Sequence, residues 1–172
     1  MHFNLFCFIN DFDFNLINNL PKTTSIIFRN YNNPLNINSL IKTKNLCKKM
    51  QNKLYLANNI KLALKLNLDG AYIPAFNKSF KVNSYNLKIK FKLIGSAHNL
   101  KEIRIKELQN VQNIFISSIF KKNQNYLGLN KFKLISNYAK KNTVALGGIT
   151  KKNLKKLNLV KINGFAGISY FS

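Results

Sequence analysis

The sequence predicts an α/β protein, a shortened (β/α)8 barrel of the TIM type that fills residues 1–172 as a single domain. Three observations predict it. Eight short apolar runs recur along the chain, helical patterns separate several of them, and glycines cluster at the ends of the last two. Nearly continuous apolar runs are how strands buried on both faces of a parallel sheet read. Eight strands alternating with helices is the barrel count. The chain has 172 residues, against about 200 or more for most such barrels, so trimmed connections are expected.

The elements follow in order. The first strand is expected over residues 5–9, with Cys7 as a buried strand residue; residues 13–20 then allow barely two helical turns. A second strand at 25–28 precedes a helix over 35–50, whose apolar positions are Ile37, Leu40, Ile41 and Leu46. The third strand, 54–57, leads to a short helix at 60–68 with Leu62, Ala63 and Leu66 on one face. After the fourth strand, 71–73, residues 77–88 are polar and have little helical periodicity. The fifth strand, 92–95, precedes a helix at 100–108. That helix opens on Asn99 with Glu102 three residues on, a capping-box pattern. The sixth strand, 114–117, precedes a helix at 129–141 carrying Phe132, Ile135 and Tyr138; the seventh, 143–146, precedes a helix at 151–159 capped by Thr150. The eighth strand is expected at 165–168, with no eighth helix after it. In that case the outer face of strands 8 and 1 lacks its cover. Phe3, Phe6, Phe8, Phe12 and Phe14 flank strand 1, and about half of them should face outwards. An aromatic patch of that size usually marks an interface, so a homodimer or another partner is expected over this seam.

Composition narrows the function classes. Lys and Arg total 28 against five acids, a net charge of +23, which alone would suggest a polyanionic partner. The lysines are scattered singly and in pairs, however, and the chain is loaded with Asn, Ile, Lys and Phe and has no Trp. AT-rich codons produce this bias, and nucleic acid is not expected as the primary partner. Cys7 and Cys47 form neither a disulfide framework nor a zinc motif. The N-terminus lacks a basic segment before its interrupted apolar stretch, and no run reaches the roughly 18 apolar residues of a membrane span. A soluble cytoplasmic protein is expected.

In a barrel of this kind the site lies at the carboxyl ends of the strands, and phosphate commonly binds at the loops after strands 7 and 8. Ala145-Leu146-Gly147-Gly148-Ile149-Thr150 occupies the first of those positions and Gly164-Phe165-Ala166-Gly167-Ile168-Ser169 the second. Two glycines let backbone N–H groups come close to an anion. The expected phosphate cradle is Gly147, Gly148, Gly167, Ile168 and Ser169.

The order of several segments is specific. Asn58-Asn59-Ile60-Lys61-Leu62-Ala63-Leu64 followed by Leu68-Asp69-Gly70-Ala71-Tyr72-Ile73, then Gly95-Ser96-Ala97-His98-Asn99-Leu100-Lys101-Glu102, then the two glycine segments, run over nearly the whole chain. In this order and spacing they resemble the thiamine phosphate synthase family. The resemblance implies an enzyme of thiamine biosynthesis that joins a pyrimidine pyrophosphate to a thiazole phosphate. Its partners would be phosphorylated small molecules. It implies that Arg29, at the end of strand 2, neutralises phosphate charge and that Ser96 lies near the pyrophosphate. The loop after strand 6 is reduced to Lys121-Lys122-Asn123; either lysine could reach a phosphate there, and Lys122 is the expected contact. The family uses Mg²⁺, but its two metal carboxylates fall here at Asn58 and near Asn77. Amides are poor substitutes for the carboxylates that Mg²⁺ normally takes, so weak Mg²⁺ binding is expected. Two alternatives follow: a regulatory phosphate-ligand-binding barrel that has lost the metal, and the family's thiazole-isomerising branch. That branch places a histidine after strand 6, where this chain has about Ser118; His98 matches a structural loop histidine of the family.

Overall fold

The computed structural model describes residues 3–31, 34–168 and 170–171. It is a closed barrel of eight parallel strands in chain order, each paired with its sequence neighbours, and the last paired with the first. The strands are β1 Asn4–Ile9, β2 Ser25–Phe28, β3 Lys53–Ala57, β4 Gly70–Ile73, β5 Lys92–Ala97, β6 Asn113–Ser117, β7 Asn142–Leu146 and β8 Gly164–Ala166. The helices are α1 Phe14–Asn19, α2 Ile37–Met50, α3 Ile60–Lys65, α4 Leu100–Leu108 and α5 Gly128–Asn137. Among the described residues no helix is long and apolar enough to cross a membrane.

Strand alternation divides the buried side chains into two cores. Phe6, Phe8, Ile27, Tyr55, Tyr72, Ile94, Phe115, Val144 and Ala166 fill the barrel interior. The alternate residues, among them Cys7, Ile26, Phe28, Leu56, Ile114 and Phe165, pack outwards against the helices. The interior is aromatic, and its rings meet edge to face: Phe6 on Phe115 at 4.8 Å, Phe8 on Tyr72 at 5.4 Å and Tyr72 on Phe115 at 5.7 Å between centroids. This is the geometry that ring quadrupoles favour. Gly70 has no room for a side chain, since a Cβ there would strike the Lys92 carbonyl of β5 and lie 2.7 Å from the Tyr55 ring.

The barrel is shortened at its connections. Between β4 and β5 the chain makes only a 3-10 helix, Phe80–Ser84, and between β7 and β8 another, Leu154–Leu159. The second corrects the expected α-helix from Lys151 with Thr150 as its cap. Asn153 takes the capping position, and its side chain turns back, accepting from the Thr150 N–H at 2.9 Å and donating to the Gly148 carbonyl at 2.8 Å. Helix α3 stops three residues early, with Asn67 beyond it at φ +49°. Strand β8 begins one residue earlier than expected, at Gly164, and ends two residues earlier, at Ala166. On the outer face of the β8–β1 seam, the Phe165 ring packs on Phe3 at 5.9 Å and Tyr170 at 4.8 Å, and Phe171 meets Tyr170 edge to face at 5.0 Å. Phe6 and Phe8 point into the barrel, whereas Phe3, Phe12 and Phe14 do not. Cys7 and Cys47 are both free and buried, and burial pushes each thiol up to about 12.

Candidate functional site

The carboxyl ends of the strands form a mouth with two adjoining pockets. One, of about 280 Å³, is lined by Gly147, Gly148, Ile149, Gly167, Ile168, Lys121 and Ser118. The other, of about 470 Å³, is lined by Tyr31, Tyr72, Phe76, Lys78, Ser96 and His98. Arg29, Ser117 and Leu146 line both.

The first pocket is a backbone cradle. Gly147 and Gly148 have φ of +105° and +74°, conformations that side chains resist. Their neighbours also leave no room for one: a Cβ on Gly147 would strike the Ser118 hydroxyl, and one on Gly148 would lie 2.6 Å from the Lys121 nitrogen. The loop after β6 folds onto this turn. The Gly147 carbonyl accepts from the N–H of Phe120 at 2.9 Å and of Lys121 at 3.2 Å, while the Ser118 hydroxyl donates to the Lys121 carbonyl at 2.8 Å. Among the described residues nothing accepts from the N–H groups of Gly147, Gly148 or Ile149. Three consecutive amides with positive φ at the glycines form the kind of nest that holds an anion.

Two sequence expectations change here. Lys121, not Lys122, lines the cradle, because the bonds to Gly147 and Ser118 pin Lys121 against it. The Gly167 amide donates to the Phe6 carbonyl at 3.2 Å, prolonging the β8–β1 ladder, so Gly167 shapes the pocket wall and its N–H is spent. Ile168 lines the pocket from an exposed position. Ser169 lies outside the described residues.

Arg29 stands where the pockets meet. Strand β2 delivers it, with its N–H donating to the Ile9 carbonyl at 2.8 Å. Its guanidinium lies over the Phe8 ring at 4.7 Å and within 6.0 Å of the Tyr31 ring centre. The ring faces hold the cation in place without neutralising it. In the second pocket Ser96 is buried within hydrogen-bonding reach of the Tyr72 phenol, whose pKa burial raises. Tyr31 meets Phe76 edge to face at 5.4 Å. His98 Nδ1 and its backbone N–H both meet Glu102 Oε2, at 2.9 and 2.8 Å, so His98 and the start of α4 are tied together.

Asn58 and Asn77 come together as a pair beside this mouth. Asn77 Nδ2 donates to Asn58 Oδ1 at 2.6 Å, and Asn77 Oδ1 accepts from the Ser79 N–H at 3.0 Å. The pocket around them, about 220 Å³, is lined by Lys61 and Lys81 and by no acid. This donor set does not fit a divalent cation: both amide oxygens already accept hydrogen bonds, amides stand in place of the carboxylates that Mg²⁺ prefers, and two lysines line the same pocket. Beneath the pair is a feature that sequence reasoning missed. Lys106 of α4 is fully buried, and its Nζ donates to the carbonyls of Pro74 at 2.8 Å and Asn77 at 2.7 Å and to Gln109 Oε1 at 2.9 Å. Gln109 Nε2 donates in turn to the carbonyls of Asn77 at 3.0 Å and Ser79 at 2.9 Å. The available signal was a Lys and a Gln three residues apart on an α4 face that otherwise packs inwards.

Comparison with known proteins agrees with the barrel fold. The sequence model of the family described as thiamine monophosphate synthase matches residues 19–171. A thiamine-phosphate synthase of Methanococcus vannielii is 34% identical over 82 residues, a match spanning 45% of this chain and 40% of that protein. The structure is similar to that of a thiamine phosphate pyrophosphorylase from Pyrococcus furiosus, with a TM-score of 0.77 at 20% identity over 96% of this chain and 85% of that one. It is also similar to a Bacteroides thetaiotaomicron protein of the same description, with a TM-score of 0.63 at 14% identity over 97% and 83% of the two chains. At these identities the structural matches speak for the fold.

Proposed function

The chain belongs to the thiamine monophosphate synthase family, and on that premise we propose that it couples a pyrimidine pyrophosphate to a thiazole phosphate. The observation that carries the reading is the two-pocket mouth with Arg29 at its junction. A coupling enzyme must hold two phosphorylated substrates side by side and stabilise the pyrophosphate that leaves. In this reading the thiazole phosphate rests on the amides around Gly147 and Gly148. The pyrimidine lies among Tyr31, Tyr72 and Phe76. Arg29 and Lys78 face the departing pyrophosphate, with Ser96 at its edge. Cations already fixed where negative charge develops lower the barrier, because no solvent has to reorganise around them. Holding both reactants in one mouth contributes the rest.

The isomerising alternative is less well supported. At the position after β6 where that branch has an imidazole, this chain has Ser118, whose hydroxyl is committed to the Lys121 carbonyl. A cytoplasmic location and a second copy of the chain over the β8–β1 seam belong to the same reading as expectations. The test of the function is an assay for thiamine phosphate from both precursors, alone and with Mg²⁺. Formation of the product supports the reading; binding of both precursors without product would make the barrel a phosphate-ligand receptor.

A further inference from the structure

We propose that this chain has internalised the work of the divalent cation, so that it binds pyrophosphate without one. The inference rests on the reading of the mouth as a pyrophosphate site and deepens it. A metal held by two carboxylates on the loops after β3 and β4 would do two things. It would tie the loops together, and it would neutralise phosphate charge.

Each task has a protein substitute here. The loops are tied by the Asn58–Asn77 amide bond at 2.6 Å, which needs no ion because one amide donates to the other. Two aspartates in the same place would repel each other until a cation arrived. The β4 loop is then fixed from below by Lys106, whose three N–H donors meet three acceptors at 2.7–2.9 Å. A buried ammonium is tolerated only when it is satisfied in this way. It gathers the Pro74 and Asn77 carbonyls as a bound cation would, but on a covalent tether. The charge is supplied by Arg29, Lys78 and Lys121, which line the two anion pockets. Lys61 and Lys81 beside the amide pair make the same place hostile to a free dication.

The probe is inorganic pyrophosphate, titrated calorimetrically into the wild-type protein in EDTA and in millimolar Mg²⁺. The expected affinity is the same in both within about twofold after allowance for the Mg²⁺–pyrophosphate complex. An increase of about tenfold or more with Mg²⁺ overturns the inference and leaves the site reading intact. Absence of binding in both buffers overturns both. Hydrogen exchange on the same protein reads the loop directly: amides of residues 75–79 should be equally protected in the two buffers, and protection that appears only with Mg²⁺ counts against the tether. The double variant Asn58→Asp/Asn77→Asp should lose pyrophosphate affinity in EDTA and regain it with Mg²⁺. If that variant folds and ignores Mg²⁺, the amide pair does not stand in the cation's place and the proposal is wrong.

Discussion

Gly148 is the residue on which the cradle depends most. Its φ of +74° and the 2.6 Å approach of the Lys121 nitrogen to a built Cβ mean that any side chain must displace the loop after β6. Gly148→Val is expected to weaken thiazole phosphate binding by about tenfold or more, a cost of at least ~1.4 kcal/mol. Unchanged affinity by calorimetry would place the cradle elsewhere. Arg29 is the second such residue, because it lines both pockets. Arg29→Ala should weaken both pyrophosphate and thiazole phosphate, each by about tenfold, since hydrogen bonds to charged groups contribute about 1.5–3 kcal/mol. Loss for only one ligand would assign Arg29 to a single compartment. The strand-end glycines could be read as a backbone cradle from local chemistry alone, whereas Arg29 was singled out only by the family resemblance. The choice of Lys121 over Lys122 was not legible, because it depends on a hydrogen bond to the Gly147 carbonyl, which comes from the next strand end rather than from the loop itself. Lys106 was hard to read for the same reason: two of its three acceptors, the Pro74 and Asn77 carbonyls, lie some 30 residues away, and only Gln109 is local.

Helix α4 carries more of the site than its length suggests. It begins where the sequence pattern placed it, with Asn99 Oδ1 accepting from the Glu102 N–H at 2.9 Å. The reciprocal half of the capping box is displaced by one residue, since Glu102 accepts from the N–H of His98. Asn99→Ala should cost about 1 kcal/mol in urea unfolding. A wild-type midpoint in that variant would mean that the His98–Glu102 contacts suffice. Farther along the helix, burial lowers the Lys106 pKa to about 8, with Glu102 opposing the shift and Lys78 adding to it. Lys106 is therefore still an ammonium at neutral pH. Between pH 8 and about 10.5 the folded chain holds fewer protons on this group than the unfolded chain does. Stability therefore rises with pH across that window. Wild type should gain on Lys106→Met from pH 8 to pH 10 in chemical denaturation; a flat difference would show that the three acceptors keep the ammonium protonated. The helices that the sequence placed poorly are those lacking such local signals. The 151–159 segment looked α-helical from Thr150, but the Asn153 side chain ties Thr150 to Gly148 and leaves room only for a 3-10 turn.

At the scale of the whole molecule, closure of the barrel was legible because each strand is buried on both faces and so reads as an unbroken apolar run. Which rings fill the interior follows from strand alternation once one residue is fixed. The outer seam was harder to read, because its cover comes from short-range packing after β8. Phe165 is buried at 1% exposure beneath Phe3 and Tyr170, yet Phe14 at 53% and Ile168 at 50% stay open nearby. The apolar area left for a second copy is therefore smaller than five phenylalanines around β1 suggested. Against association stands a net charge of +23 on each chain. That repulsion is screened beyond about 10 Å at 0.1 M salt and about 3 Å at 1 M, whereas aromatic burial acts at contact and persists in salt. A small apolar patch opposed by a large, screenable charge predicts weak association that strengthens with ionic strength. Light scattering should give a monomer at low salt and a growing dimer fraction towards 1 M, with Phe14→Ser reducing that fraction. A monomer at every salt concentration would mean that Phe3, Tyr170 and Phe171 already close the seam and that no second copy is needed.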